Sequence, residues 1–261
     1  SLSATEMASK LSSSTGTSVS PALLTDHPTA RAISLHLVEM LKEAHSKREA
    51  ASRKGQGDQP LTSPRRRCLM LHGRASSSDL QRTIFEATGW LNGVDLEFIF
   101  VNGPERMPAQ PELFESMYAA GLYTEREYFG WLLDPGGTDP SDVSTSLGHV
   151  QGLLELLAPI HGIAGICDGS IIAALVASSN PGLFYLNFCG GPPGLFLCRG
   201  GGRVAVEAPS LHLLGSEDEL FSPDQLRQIP EACSTAIVHT HSHGHVVPPL
   251  GSELERLVST F

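Results

Sequence analysis

After residue 67 the apolar positions fall into short unbroken runs, separated by stretches with helical spacing. CLMLHG (68–73), LEFIFVNG (96–103), GIAGI (162–166), LFYLNF (183–188), LHLLG (211–215) and AIVHT (236–240) each read as a strand covered on both faces. Between them the spacing predicts helices around Leu80–Leu91 and over 144–158, 169–179, 223–229 and 251–260. Buried strands alternating with helices predict an α/β fold, a largely parallel sheet with helices on both faces. From 104 to 140 the pattern gives way to Pro, Gly and aromatic residues, among them Phe114, Tyr118, Tyr123, Tyr128, Phe129 and Trp131. An insertion of that kind is expected to form a lid or pocket wall.

The first 66 residues have a different character. Residues 1–24 are rich in Ser and Thr without apolar periodicity, which predicts a disordered tail. One Lys and no Arg in it favour a solvated tail over an organelle-targeting segment. Asp26 and Pro28 form a helix start, and Ile33, Leu37, Met40, Leu41 and Ala44 give the helix over about 28–46 one apolar face. A polar linker follows, so the expected organisation is tail 1–24, helix and linker 25–66, and α/β domain 67–261. The basic run at 65–67 reads as the charged entry to the first strand rather than a nucleic-acid patch.

Charge sharpens the division. Residues 1–67 carry ten basic and six acidic side chains, whereas the remainder carries eight basic and 22 acidic and has no lysine. That excludes Schiff-base chemistry and a phosphate-loop lysine from the domain. It also argues against nucleic acid as a partner, because nothing would neutralise phosphates. No uncharged apolar stretch reaches the ~18 residues of a membrane span. Five widely spaced cysteines, Cys68, Cys167, Cys189, Cys198 and Cys233, fit neither a disulfide framework nor a structural zinc site. A reducing compartment, the cytoplasm, is expected.

In an open parallel sheet the chemistry lies at the carboxyl ends of the strands. The third strand ends in Gly165-Ile166-Cys167-Asp168-Gly169, the G-x-S-x-G spacing of a nucleophile elbow with cysteine at its centre. The first ends in Leu71-His72-Gly73-Arg74, the loop that supplies one oxyanion amide; the other comes from the residue after the nucleophile. Here these would be the backbone N–H groups of Arg74 and Asp168, with His72 expected to hold the loop rather than move protons. The fifth strand leads into Ser216-Glu217-Asp218, where an acid can orient a histidine. The sixth leads into HTHSHGH, whose alternation puts His239, His241, His243 and His245 on one face if the strand continues, so metal binding competes with a catalytic histidine. No acidic ligand interrupts the run, which leaves His245 as the better candidate base and no metal or cofactor expected.

Together these stretches resemble the FSH family of small α/β-fold serine hydrolases. LMLHG (69–73), FGWLL (129–133), HGIAGICDGSIIAALVA (161–177), APSLHLLGSED (208–218) and HGHVVP (243–248) match in the family's order over about residues 67–258. The resemblance implies an α/β-hydrolase fold and cleavage of a small-molecule carboxylic ester or thioester. It puts Cys167 at the nucleophile, Asp218 at the acid and His245 at the base. Where the family has Ser-Gln-Gly, this chain has Cys167-Asp168-Gly169. A thiol in an elbow has a precedent in dienelactone hydrolases. The helix dipole and an imidazolium at His245 favour the thiolate, and the Asp168 carboxylate opposes it. A degenerate hydrolase acting as a binding or scaffold module is the alternative.

Overall fold

The computed structural model describes residues 65–115, 121, 123–124, 127–133, 139–191 and 205–261. The chain divides into the units Ser1–Ser63 and Pro64–Phe261. The expected tail, the 28–46 helix and the linker lie outside the described residues.

In chain order the second unit runs β1 (Arg66–Leu71), α1 (Ser78–Ala87), α2 (Trp90–Gly93), β2 (Leu96–Val101), β3 (Glu105–Met107) and β4 (Tyr128–Gly130). It continues with α3 (Pro140–Leu156), β5 (Gly162–Ile166), α4 (Asp168–Ser179), β6 (Phe184–Phe188), β7 (Ser210–Gly215), α5 (Pro223–Glu231), β8 (Ala236–His241) and α6 (Ser252–Val258). Six strands form one sheet in the order β2-β1-β5-β6-β7-β8, every pair parallel.

Successive residues of a strand bury opposite faces, and the continuous apolar runs exist for that reason. Leu69 and Leu71 of β1 join a core with Val150 of α3, Ile172 of α4 and Ile229 of α5. Cys68 and Met70 join the other core with Phe85 of α1, Trp90 of α2 and Leu254 of α6. All six expected strands form. The basic run enters the first of them, since Arg66 and Arg67 are its opening residues.

Three expectations need correction. The first helix stops at Ala87, because Thr88 caps it and Gly89 turns left-handed (φ 86°) before α2 begins. The third helix starts at Pro140 rather than 144, because the Asp139 side chain caps it and Pro140 fits the first turn. The sixth strand is not buried on both faces. As the sheet's outer strand it leaves Ile237 and Val238 exposed by 37% and 49%.

The 104–140 insertion contains an antiparallel pair, β3 with β4, and Phe129 also bridges to Ser76. Tyr123 is stacked between Phe114 and Tyr128, and its hydroxyl donates to Ala75 O at 2.9 Å. This part of the insertion is therefore pinned onto the loop that follows β1.

Candidate active site

Cys167 stands between β5 and α4 with φ 54° and ψ −126°, a conformation L-residues avoid at a cost of about 1–3 kcal/mol. Two glycines make the turn possible. A Cβ on Gly165 would lie 2.4 Å from Gly169 O, and one on Gly169 would lie 2.3 Å from His72 O. Strand, helix and β1 loop meet so closely that no side chain fits at either position. Behind the turn, α4 is buried from Asp168 to Ala177. The Cys167 amide donates to Phe188 O at 3.3 Å, which ties the turn to β6.

Burial pushes the Cys167 thiol well above its ordinary range, and the Asp168 and Asp218 charges push it further. The backbone amides of Asp168 and Arg74 act on the same sulfur as hydrogen-bond donors and pull the other way. The opposing effects therefore resolve in favour of a neutral resting thiol. These two amides are the pair expected for an oxyanion hole, and both act on the sulfur.

His245 lies on the loop after β8, and its Nδ1 is 2.7 Å from Asp218 Oδ2. Asp218 Oδ1 accepts from the Leu220 and Phe221 amides, each at 2.9 Å. Burial alone would raise the Asp218 carboxyl, but the His245 bond and these amides outweigh it and hold the group below its ordinary value. The Phe221 ring packs edge-on against His245 at 5.2 Å. On the far side of the ring, Nε2 is buried without a hydrogen-bond partner. The expected bond from His245 to Cys167 is thus not made in this structure.

Among the described residues the other histidines do not gather into a group that could hold a metal; His239 and His241 alternate within β8, and the chain bends after it. His239 turns to Glu253 at 3.8 Å. His241 Nε2 lies 3.8 Å from Cys189 Sγ, and its Nδ1 accepts from the His243 amide. Among the described residues, Cys189, Asp218 and His245 bring donor atoms within 4.8 Å of one another.

His72 has the holding role expected of it. Its Nδ1 donates to Gly73 O at 2.6 Å and its Nε2 accepts from the Gly103 amide at 3.0 Å, which fixes one neutral tautomer. Burial brings its pKa down to about 4. Trp131 Nε1 in turn donates to His72 O at 2.8 Å.

Three contributions escaped the sequence. Phe221 backs the histidine from a stretch that reads only as an acidic loop. Cys189, with φ 45°, is the first residue beyond β6 and approaches the Asp218–His245 pair. That strand end was the signal available for it. The Asp168 carboxylate is 3.3 Å from the Arg74 guanidinium. Burial pushes Asp168 up to about 6, while Arg74 and the charge of His245 act against that rise.

A family model described as "Serine hydrolase (FSH1)" matches residues 62–257. The relative named Esterase OVCA2 from Bos taurus is 27% identical over 156 residues, 56% of this chain and 66% of its own length. The protein of the same name from Homo sapiens is 30% identical over 114 residues, 40% of this chain and 49% of its own length. The match therefore spans less than two thirds of either relative. Among solved structures, acyl-protein thioesterase 2 of Zea mays superposes with a TM-score of 0.53 at 17% identity, covering 78% of this chain and 95% of that one. SOBER1 of Arabidopsis thaliana gives 0.51 at 17% identity, covering 74% and 96%. At that identity the likeness concerns the fold alone, an α/β hydrolase.

Proposed function

Because the chain belongs to the FSH1 serine hydrolase family, we propose that it cleaves carboxylic esters or thioesters of small molecules through Cys167, His245 and Asp218. The observation that carries this reading is the state of His245. One ring nitrogen is fastened to Asp218, and the other is buried with no partner, on the side left open for a proton. A histidine of purely structural role has both nitrogens satisfied, as His72 does.

The resting thiol is neutral, so the proton leaves as the bond forms rather than beforehand. His245 Nε2 takes the Sγ proton while sulfur attacks the substrate carbonyl carbon, and the Arg74 and Asp168 amides receive the oxyanion. Collapse expels the alcohol or thiol, which takes the proton back from His245, and leaves an acyl-thioester on Cys167. Water, deprotonated by His245, attacks that acyl group and releases the acid and the thiol. Asp218 holds the ring and stabilises the imidazolium formed in each half. The acidic body and the absence, among the described residues, of a helix long and apolar enough to cross a membrane fit a small-molecule substrate.

The test is hydrolysis of p-nitrophenyl esters of graded chain length by the chain and by Cys167→Ala. Turnover lost in the variant supports the reading, and turnover retained overturns it. A second reading, a binding module on a hydrolase fold, draws on the neutral thiol and the adjoining Asp168 carboxylate. It predicts binding of an ester without turnover of any.

A further inference from the structure

Asp168 follows the nucleophile, and its carboxylate stands beside an amide that must receive negative charge. The structure shows what meets that charge. Arg74, 94 residues earlier, places Nη1 at 3.3 Å from Asp168 Oδ2. Their side chains are only 14% and 7% exposed. The same guanidinium donates to two successive carbonyls, Nη1 to Leu132 O at 2.9 Å and Nη2 to Leu133 O at 2.8 Å. A planar fork suits this work, because it holds several acceptors in fixed relative positions.

The Leu132–Leu133 segment is held from other sides too. The Leu133 amide donates to Asp142 Oδ2 of α3 at 2.5 Å. Ser146 of α3 donates to Trp131 O, and the Trp131 indole donates to His72 O. The elbow and the segment after β4 thus converge on Arg74 of the β1 loop, and α3 holds that same segment from its other side. Its main-chain N–H is one of the two donors that act to lower the Cys167 thiol. Fixing the far end of the Arg74 side chain restrains the amide at the near end.

We propose that Asp168 is a positioning residue, acting through Arg74 to lock the Leu132–Leu133 backbone and the Arg74 amide where the oxyanion forms. The inference rests on the ester-cleaving reading of the site. The residue that breaks the family pattern becomes half of a buried tie, and its charge is spent on Arg74 rather than against the oxyanion. The groups that face Asp168 are Arg74 from the β1 loop, Cys167 of the elbow, His245 from the loop after β8 and Asp142 of α3. Arg74 and His245 favour its ionised form and Asp142 opposes it. Protonating Asp168 loosens the tie, so the rate falls as pH drops through about 6.

Steady-state p-nitrophenyl ester hydrolysis by Asp168→Asn, Asp168→Gln and Arg74→Lys tests this, with protein checked for folding by circular dichroism. A displaced oxyanion donor costs less than a deleted one, so kcat is expected to fall about tenfold, with KM changed less than about threefold. Arg74→Lys should lose as much, since an ammonium cannot span both carbonyls. The acid limb of the rate profile is shallower through pH 6 in Asp168→Asn than in wild type, because only the part due to Asp168 is removed. Wild-type kcat and an unchanged pH profile in Asp168→Asn overturn the proposal, as does higher activity in Asp168→Gln. Hydrogen exchange provides a readout without turnover: the Leu133 and Arg74 amides exchange at least about tenfold faster in Asp168→Asn if the tie exists, and unchanged rates overturn it. A wild type inactive on every ester, or fully active as Cys167→Ala, defeats the ester-cleaving reading itself and leaves the exchange rates to decide the tie.

Discussion

Asp218 grips His245 at 2.7 Å through Nδ1 and leaves the opposite nitrogen, Nε2, buried and unpartnered. An unmade bond in a closed site costs free energy, about 1–3 kcal/mol for a buried polar group, so something has to use it. If that use is proton transfer, His245→Ala lowers kcat/KM on p-nitrophenyl esters by about 10³-fold or more. Asp218→Asn should follow it closely, because the ring loses its anchor. A drop below about tenfold in His245→Ala would assign the base elsewhere.

Cys167→Ser is expected to keep measurable esterase activity, since the same histidine and amides serve a hydroxyl. The raised thiol gives a second, independent expectation. Iodoacetamide should alkylate Cys167 far more slowly than free cysteine at pH 7.5, with the rate still climbing above pH 9. Mass spectrometry of the modified peptide reads this directly, and fast labelling at neutral pH would show a thiolate already formed.

Gly169→Ala puts a methyl carbon 2.3 Å from His72 O and 2.6 Å from Leu71 O, both backbone atoms that cannot step aside. We expect a loss of at least ~3 kcal/mol, the upper end of overpacking effects, or no folded protein. Gly148→Ala is the control with the opposite sign. It lies inside α3 with nothing within 4 Å of its added carbon, so it should gain up to ~1 kcal/mol and raise Tm by a few degrees.

Acid should destabilise the domain over a definable window. Burial lowers His72 to about 4, His212 to about 3 and His241 to about 4. The unfolded chain protonates these rings near 6.5 while the folded one does not, so stability falls as pH drops below 6.5 toward 4. Asp168 works in the opposite sense. Its folded value of about 6 lies above the unfolded 3.8, so its cost to stability disappears on acidification across that range. Tm measured from pH 7.5 to 4.5 should decline, and the decline should be smaller in His241→Asn than in wild type.

The strands were legible because a run such as CLML needs no partner to declare that both its sides are buried. AIV at 236–238 declares the same and is exposed, since position at the sheet's margin is decided by five other strands. The elbow was legible because its glycines lie two residues either side of Cys167. The alternation of the histidines settled less for a related reason: periodicity fixes a face only while the strand continues, and β8 stops at His241. The Asp168–Arg74 tie was illegible because it joins residues 94 apart with no shared pattern, and only the fold brings them to 3.3 Å.

The glycine pair around Cys167 also bears on what the turn asks of the residue at its centre. The close approaches at the turn's glycines are made at Cα, Cβ or backbone level: Gly165 against Gly169, Gly169 against the β1 loop, and Gly73 with its added carbon 3.4 Å from Cys167 Cβ. None of these contacts involves the γ atom. These glycine contacts therefore do not distinguish a serine from a cysteine at the centre of the turn. What distinguishes them is the buried setting of the γ atom, where two backbone amides and two carboxylates act on the sulfur.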